Sequence, residues 1–223
     1  MDRRAFTLVG LASLTAALAP ACLAKEEDQL GWQIADLTSD GLRLARGGMA
    51  APGVPVDDQT LFQVASCSKT VTALAVFTLI RDGYFELHAP VNAYLKRWQL
   101  TGPRSDRTTI ADLLSHTAGS NVHGFMGYGA DDEIPGVVDI LNGEYPATSP
   151  AIRKERRLFK RFEYSGGGTT ILQCLIEDVA GESFRQYAAE HVLNPIGATA
   201  ATFELEPRSS HANEYLEDGQ TIP

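Results

Sequence analysis

Basic residues are in deficit in this sequence. Lysine and arginine number 19 against 28 aspartates and glutamates, leaving a net charge of −9. Phosphate binding needs a basic surface, so the balance argues against nucleic acid as a partner. Internal repeats and low-complexity tracts are absent, which excludes solenoid and disordered architectures. Cysteine is scarce, with three in 223 residues. Cys67 and Cys174 could pair in an oxidising compartment, but spacing alone does not show that their Cα atoms approach closely enough. The plain reading is two small buried apolar residues.

What is present is globular. Hydrophobic residues make up 44% and charged residues 21%, enough for one domain with a real core and room for two lobes. The first 24 residues read as an export signal: a short basic start at Arg3-Arg4, an uncharged run from Ala5 and small residues to Ala24. The arginine pair followed by Phe6 is similar to a twin-arginine signal. An uncleaved membrane anchor is the alternative, since the run is long enough to span a bilayer. Pro20 and the alanine-rich end favour cleavage. Cys22 leaves a lipid anchor as a further option. The expected location is periplasmic or extracellular, with no stable membrane insertion after cleavage.

Beyond the signal, "GWQIADLTSDGLRLARGG" reads as two strands joined by a turn at Gly41. "MAAPGVPVDDQT" reads as a loop. A helix is expected from about Ser66 to Asp82, stopped by Gly83, and it is apolar almost all round, so it should be buried. "RTTIADLLSHTAGS" reads as a short helix with Asp112 satisfying its first amides and Gly119 ending it. Residues 119–152 read as loop with one helical turn near Val137. "TTILQCLIEDVAG" is an apolar helix capped by Gly181. "SFRQYAAEHVL" is a helix with Ser183 as N-cap and Gln186 reaching back, and Pro195 ends it. Strands first and helices after make an α+β chain, with strands in 31–46 and a helical lobe over about 61–200.

Lys69 raises the chemical question. It is the only charged residue between Asp58 and Arg81, and Ser66 precedes it by one helical turn on the same face. A serine hydroxyl needs a base to become a nucleophile. A buried lysine with a depressed pKa can be that base. The helix N-terminus adds amides and a positive dipole end for a developing oxyanion. The structural alternative is a snorkelling lysine and a capping serine; Ser-x-x-Lys by itself is a common pattern. Tyr164, just before "SGGG", can shuttle the serine proton if it lies near the lysine. An isolated tyrosine is otherwise a core residue.

The segments "LFQVASCSKTVTALAVFTLIRDGYFELHAPVNAYL", "TTIADLLSHTAGS", "YSGGGTTILQCLIEDVAGESFRQY" and "VLNPIGATAATF" occur in that order. Together they resemble the serine β-lactamase superfamily, in the branch of class C β-lactamases, D-alanyl-D-alanine carboxypeptidases and related esterases. The resemblance implies an α/β sheet packed on an all-helical lobe. It implies an acyl-enzyme mechanism with Ser66 as nucleophile, Lys69 as its partner and Tyr164 as proton relay. The substrate would be a β-lactam, a peptidoglycan-like D-Ala-D-Ala peptide or an ester. No cofactor or metal is implied, and His88, His116, His123, His191 and His211 show no ligand spacing. His116 is expected to be structural.

The sequence departs from the family at three places. Tyr-x-Asn becomes Tyr164-Ser165-Gly166, which puts Gly166 at the substrate-binding position and weakens the β-lactamase reading more than the esterase one. Leu158-Phe159 stands near the expected Pro-Gly turn, within a cluster of Arg and Lys read as a solvated face. The third motif, Lys-Thr-Gly or His-x-Gly on a further strand, is not found before "EDGQTIP". The expectation is therefore a partial fold of this type, a helical lobe with an incomplete antiparallel sheet. The alternative function is a truncated, non-catalytic or ligand-binding member.

Overall fold

The computed structural model describes residues 30–129, 132–155 and 161–204. The segment read as an export signal, the Leu158-Phe159 turn and His211 lie outside the described residues. The chain divides into two compact units, with a boundary in the sequence between Gln63 and Val64.

The described part of the first unit is built from strands. β1 (Trp32–Thr38) and β2 (Gly41–Gly47) pair antiparallel, in a register that sets Trp32 opposite Gly47 and Thr38 opposite Gly41. Gly41 takes φ +121°, as the turn requires. Thr38 Oγ1 accepts from the Asp40 amide at 3.2 Å and donates to the Gly41 carbonyl at 3.1 Å, which closes the turn. The stretch expected to be loop forms a second small hairpin, β3 (Met49–Ala51) with β4 (Val54–Pro55). Two- and three-residue strands are too short for alternation to reveal them.

The second unit is helical and holds the main core. The helices are α1 (Ser68–Arg81), α2 (Ile110–Leu114), α3 (Val137–Asn142), α4 (Gly166–Ala180) and α5 (Phe184–Ala188), the last continuing as a π turn over Ala189–Leu193. α4 packs against the other four helices. Ile171, Leu172, Cys174, Leu175 and Ile176 are all buried, so its apolar surface wraps most of the way round, as in a central core helix. Each fully buried Leu or Ile of this kind stabilises the fold by about 1.5–3 kcal/mol. Gly181, at φ +77°, ends the helix as the sequence predicts.

α1 differs from expectation. It buries Thr72, Ala75, Val76 and Leu79, spaced as one helical face, while Leu74 and Phe77 are exposed. Lys69 is half-buried. The fully buried lysine is instead Lys154, at 1% exposure, whose Nζ donates to the Ala118 carbonyl at 2.7 Å. Lys154 belongs to the cluster read as a solvated face, and burial pushes its pKa down. Cys174 is buried, which pushes its thiol up to about 12, but Cys67 is exposed and both are free.

α2 begins with the expected capping box: Thr109 Oγ1 accepts from the Asp112 amide, and Asp112 accepts from the Thr109 amide. It ends earlier than expected, at Leu114. The chain turns left-handed at His116, φ +57°. The His116 amide donates to Leu113 O at 3.2 Å and the Thr117 amide to Asp112 O at 2.8 Å. That pairing is a Schellman motif with histidine where glycine is usual. At α5, Ser183 Oγ accepts from the Gln186 amide, but the Gln186 side chain turns to Glu190. The Phe184 amide is taken by Glu177 instead.

One buried carboxylate joins the 96–97 loop to α4. Asp178 accepts from the amides of Lys96 at 2.6 Å and Arg97 at 3.1 Å and from the Arg97 guanidinium. Burial alone would raise its pKa, but these donors outweigh burial and hold it below the usual carboxylate value. A depressed folded-state pKa contributes stability that is present above the unfolded value, near 3.8, and is lost as pH falls through the folded value. Asp178→Asn is expected to cost about 2 kcal/mol at neutral pH, because the part-exposed Arg97 can return to water. In urea melts at stepped pH, the gap between the two proteins should hold down to about pH 5 and shrink as the carboxylate protonates.

Two glycines separate conformation from close approach. Gly83 has φ +80° with open space around it; Gly102 has φ +106°, and a Cβ there would lie 2.0 Å from the Lys154 carbonyl oxygen. Gly83→Ala is expected to lose about 1 kcal/mol through the left-handed backbone alone. Gly102→Ala is expected to lose at least about 2 kcal/mol more, since backbone cannot yield as a side chain does. Equal urea midpoints for the two variants would contradict this.

Candidate active site

Ser66 lies in a 3-10 turn, Ala65–Cys67, that runs straight into α1. The N-cap of that turn is Val64 and that of α1 is Cys67, neither with a side-chain cap, so Ser66 is not the N-cap of the helix. Ala65 stands just before it at φ +42°, a left-handed conformation that costs a non-glycine residue about 1–2 kcal/mol. Such an outlier beside a nucleophile candidate marks a constrained turn. Lys69, one turn on, donates from Nζ to Ser66 Oγ at 3.1 Å.

Tyr164 arrives from a distant part of the chain. Its hydroxyl donates to Ser66 Oγ at 2.8 Å, and Lys69 Nζ lies 5.1 Å from its ring centroid. The three residues singled out in the sequence therefore meet at one oxygen. Ser66 is exposed and Lys69 half-buried, so the lysine sits at the rim of the core and not within it. The electrostatic effect falls on the tyrosine. The Lys69 ammonium first, and the Ser66 hydrogen bond second, hold the Tyr164 phenol below its ordinary range.

The segment before α4 is tied down residue by residue. The Glu163 amide donates to His116 O at 2.8 Å, the Gly166 amide to His123 O at 2.9 Å and the Gly167 amide to Val122 O at 3.0 Å. Ser165 Oγ donates to Val122 O and accepts from the Gly168 amide, acting as the N-cap of α4. Three buried glycines let that first turn approach residues 120–125. A Cβ at Gly166 would meet Phe125 Cε2 at 3.0 Å, and one at Gly167 would meet Ser120 Oγ at 3.1 Å. Gly166 thus offers no free amide; it forms part of a wall.

That wall belongs to a cavity of about 460 Å³ beside Lys69, lined among others by Thr72, Phe125, Gly166, Gln173 and Arg185. Its size suits a small ligand. Ser66 and Tyr164 stand outside its lining. Among the described residues no cluster of three His, Cys, Asp or Glu is placed to hold a metal, and no helix is long and apolar enough to cross a membrane.

Sequence reading missed the strained Ala65, the seat of Phe125 and the histidines around Tyr164. Only the "HTAG" string hinted at the last of these, and nothing in it showed which residue it would touch.

Removing the lysine should move the phenol. Lys69→Met takes away the largest cause of the depression, so the Tyr164 pKa should rise toward its usual value. Phenolate absorbance, read as a difference against Tyr164→Phe in each background, checks this. An unchanged titration would mean that the lysine does not govern the tyrosine.

Three comparisons with known proteins bear on the identity of the chain. The family model described as Beta-lactamase matches residues 16–221. The chain is similar to the putative penicillin-binding protein PbpX of Bacillus subtilis (strain 168), with 31% identity over 66% of this chain and 35% of that protein. It is similar to the esterase EstB of Burkholderia gladioli, with 34% identity over 77% of this chain and 45% of that protein. A solved structure of a class C beta-lactamase mutant aligns with TM-score 0.68 and 21% identity, covering 87% of this chain and 52% of that one. The chain spans less than half the length of the two curated relatives. Four ordered motifs, a matching helical lobe and a family match over most of its residues place this chain in the serine β-lactamase superfamily.

Proposed function

We propose that the protein is a serine hydrolase working through an acyl-enzyme, with Ser66 as nucleophile. The observation that carries this is the double approach to Ser66 Oγ, 3.1 Å from Lys69 Nζ and 2.8 Å from the Tyr164 hydroxyl. With its pKa lowered, Tyr164 is the group that gives up a proton to become the base. The phenolate then takes the Ser66 proton as Oγ bonds to the substrate carbonyl carbon. Tyr164 returns that proton to the leaving oxygen or nitrogen as its bond to the carbonyl carbon breaks. Water, deprotonated by the same phenolate, releases the acid and restores Ser66. Lys69, beside the ring, stabilises the phenolate. The Ser66 amide, at the positive end of α1, is placed to serve the oxyanion.

The substrate class favoured is an ester of small or medium size. Gly166 supplies no side-chain amide to hold an amide or β-lactam, and one of the curated relatives is named an esterase. A penicillin-binding protein is the other kind of relative, so D-Ala-D-Ala peptides are the second class to test. The Arg3-Arg4 start and the uncharged run to Ala24 support a site of action outside the cytoplasm.

The test is labelling followed by turnover. A fluorophosphonate should add to Ser66, seen by peptide mass spectrometry, and p-nitrophenyl butyrate should be hydrolysed faster than a chromogenic cephalosporin. Ser66→Ala should abolish both. Tyr164→Phe should slow acylation by about 10²- to 10⁴-fold, the usual range for a general acid–base. Ligand binding without any adduct at Ser66 would favour the non-catalytic alternative and overturn the hydrolase reading.

A further inference from the structure

We propose that His116 is a positioning residue for Tyr164, holding the tyrosine against Ser66 through an unprotonated Nδ1 and releasing it when that nitrogen takes a proton. The proposal rests on the hydrolase reading for its kinetic consequence, but not for its geometry.

His116 grips the chain on both sides of the tyrosine. Its carbonyl accepts from the Glu163 amide at 2.8 Å, and its Nδ1 accepts from the Ser165 amide at 3.2 Å. An amide can only donate, so Nδ1 carries no proton and the neutral ring bears its hydrogen on Nε2. The ring face lies against Tyr164, with centroids 4.7 Å apart, and Phe162 meets it edge-on at 5.9 Å. His123 completes the cradle: its Nδ1 donates to the Tyr164 carbonyl at 2.7 Å.

The backbone indicates that this placement is not incidental. His116 occupies the left-handed position that ends α2, where glycine would relieve strain. A side chain kept at such a position is there for what it touches. The glycine the sequence offers, Gly119, comes three residues too late to end the helix.

Protonation would do two things. It would remove the acceptor for the Ser165 amide, and it would place a second cation beside Lys69. Among the described residues, the charged and titratable groups facing the ring are Lys69 from α1 and Tyr164 from the segment before α4. Asp112, on the helix that His116 ends, is engaged by Thr109 and Thr117. Glu163 presents its amide to His116, while its carboxylate lies 4.0 Å from the His123 ring. Burial first, and the Lys69 charge second, push the His116 pKa below its ordinary value of 6.5. The grip therefore holds at neutral pH and is lost as pH falls through that lowered value.

Substitutions separate backbone from side chain. His116→Gly relieves the left-handed strain but removes the acceptor. His116→Asn tolerates the same backbone and offers Oδ1 to the Ser165 amide. In p-nitrophenyl butyrate hydrolysis, His116→Gly should lose about 10²-fold in kcat with KM little changed, as expected for a misplaced group. Its urea midpoint should be no lower than wild type. His116→Asn should recover about tenfold or more of that loss. Below the His116 pKa the wild-type rate should steepen from a one-proton to a two-proton dependence, and in His116→Asn it should not.

Glycine as active as wild type, or asparagine as poor as glycine in an equally stable protein, would overturn the proposal. A readout free of activity stands beside these. Nitrogen-15 NMR of the full chain should show His116 protonated on Nε2 and bare on Nδ1 at pH 7, and His116→Gly should raise the Tyr164 phenol pKa toward its free value. A protonated Nδ1 at pH 7 would overturn the proposal even if every variant hydrolyses the ester. If no variant and no wild type turns over, the hydrolase reading fails while the NMR result still decides this one.

Discussion

The constraint on which the helical unit depends is that α4 is buried on most of its circumference. A helix in that position must find partners within the protein for the polar groups it carries, as Thr170 does in the Gly166 carbonyl and Asp178 in the 96–97 loop, and the amides of its buried start must be satisfied the same way. At its start this falls to Ser165 and the 120–123 segment. At its end Gly181 turns the chain and Asp178 fastens the neighbouring loop. The functional geometry follows from the first of these solutions. Tyr164 is the residue before the cap, so whatever fixes the helix start also fixes the phenol. α1 packs on the same helix and brings Ser66 and Lys69 to meet it.

Charge is distributed with the same economy. Among the described residues Lys154 is a buried lysine that donates to a backbone carbonyl, and burial pushes its pKa down, whereas Lys69 is kept at the rim. A lysine in the core would lose its proton and with it the power to depress a neighbouring phenol. A lysine fully in water would be screened from it. From its half-buried seat the ammonium acts on Tyr164 at 5.1 Å from the ring centroid. The lysine that the sequence offered as a base for Ser66 also lies beside Tyr164 in the structure, where it holds the phenol below its ordinary range.

Much of this was legible in the residues. Gly41 and the alternating strands gave the first hairpin, the Thr109–Asp112 pair gave the start of α2, and the apolar run to Gly181 gave α4. Ser66, Lys69 and Tyr164 were found from their order and types, and the structure brings them together. Other features were hidden for physical reasons. The β3–β4 hairpin is too short to show a period. The end of α2 was misplaced because a histidine, not a glycine, adopts the left-handed turn. Lys154 looked like surface because sequence does not reveal which member of a basic cluster finds a carbonyl. The histidine contacts to Tyr164 and Ser165 span 41 and 49 positions, and no local pattern encodes a pairing that long.

Gly166 ties the packing to the chemistry. A side chain there would press on Phe125 at 3.0 Å and on the His123 carbonyl at 3.3 Å. That same approach of the helix start to residues 122–125 is what lets the His123 ring reach the Tyr164 carbonyl. An asparagine at 166 and the present seat of Phe125 are therefore competing solutions for one volume. This chain fills the volume with an aromatic ring, which adds an apolar surface to the lining of the neighbouring cavity and forgoes a side-chain amide. A substrate whose recognition depends on an amide loses the most from that exchange, because its polar groups would be desolvated without a partner. One held by apolar contact around a reactive carbonyl loses little. On the hydrolase reading proposed for Ser66, the steric choice at this one glycine favours an ester over an amide as substrate.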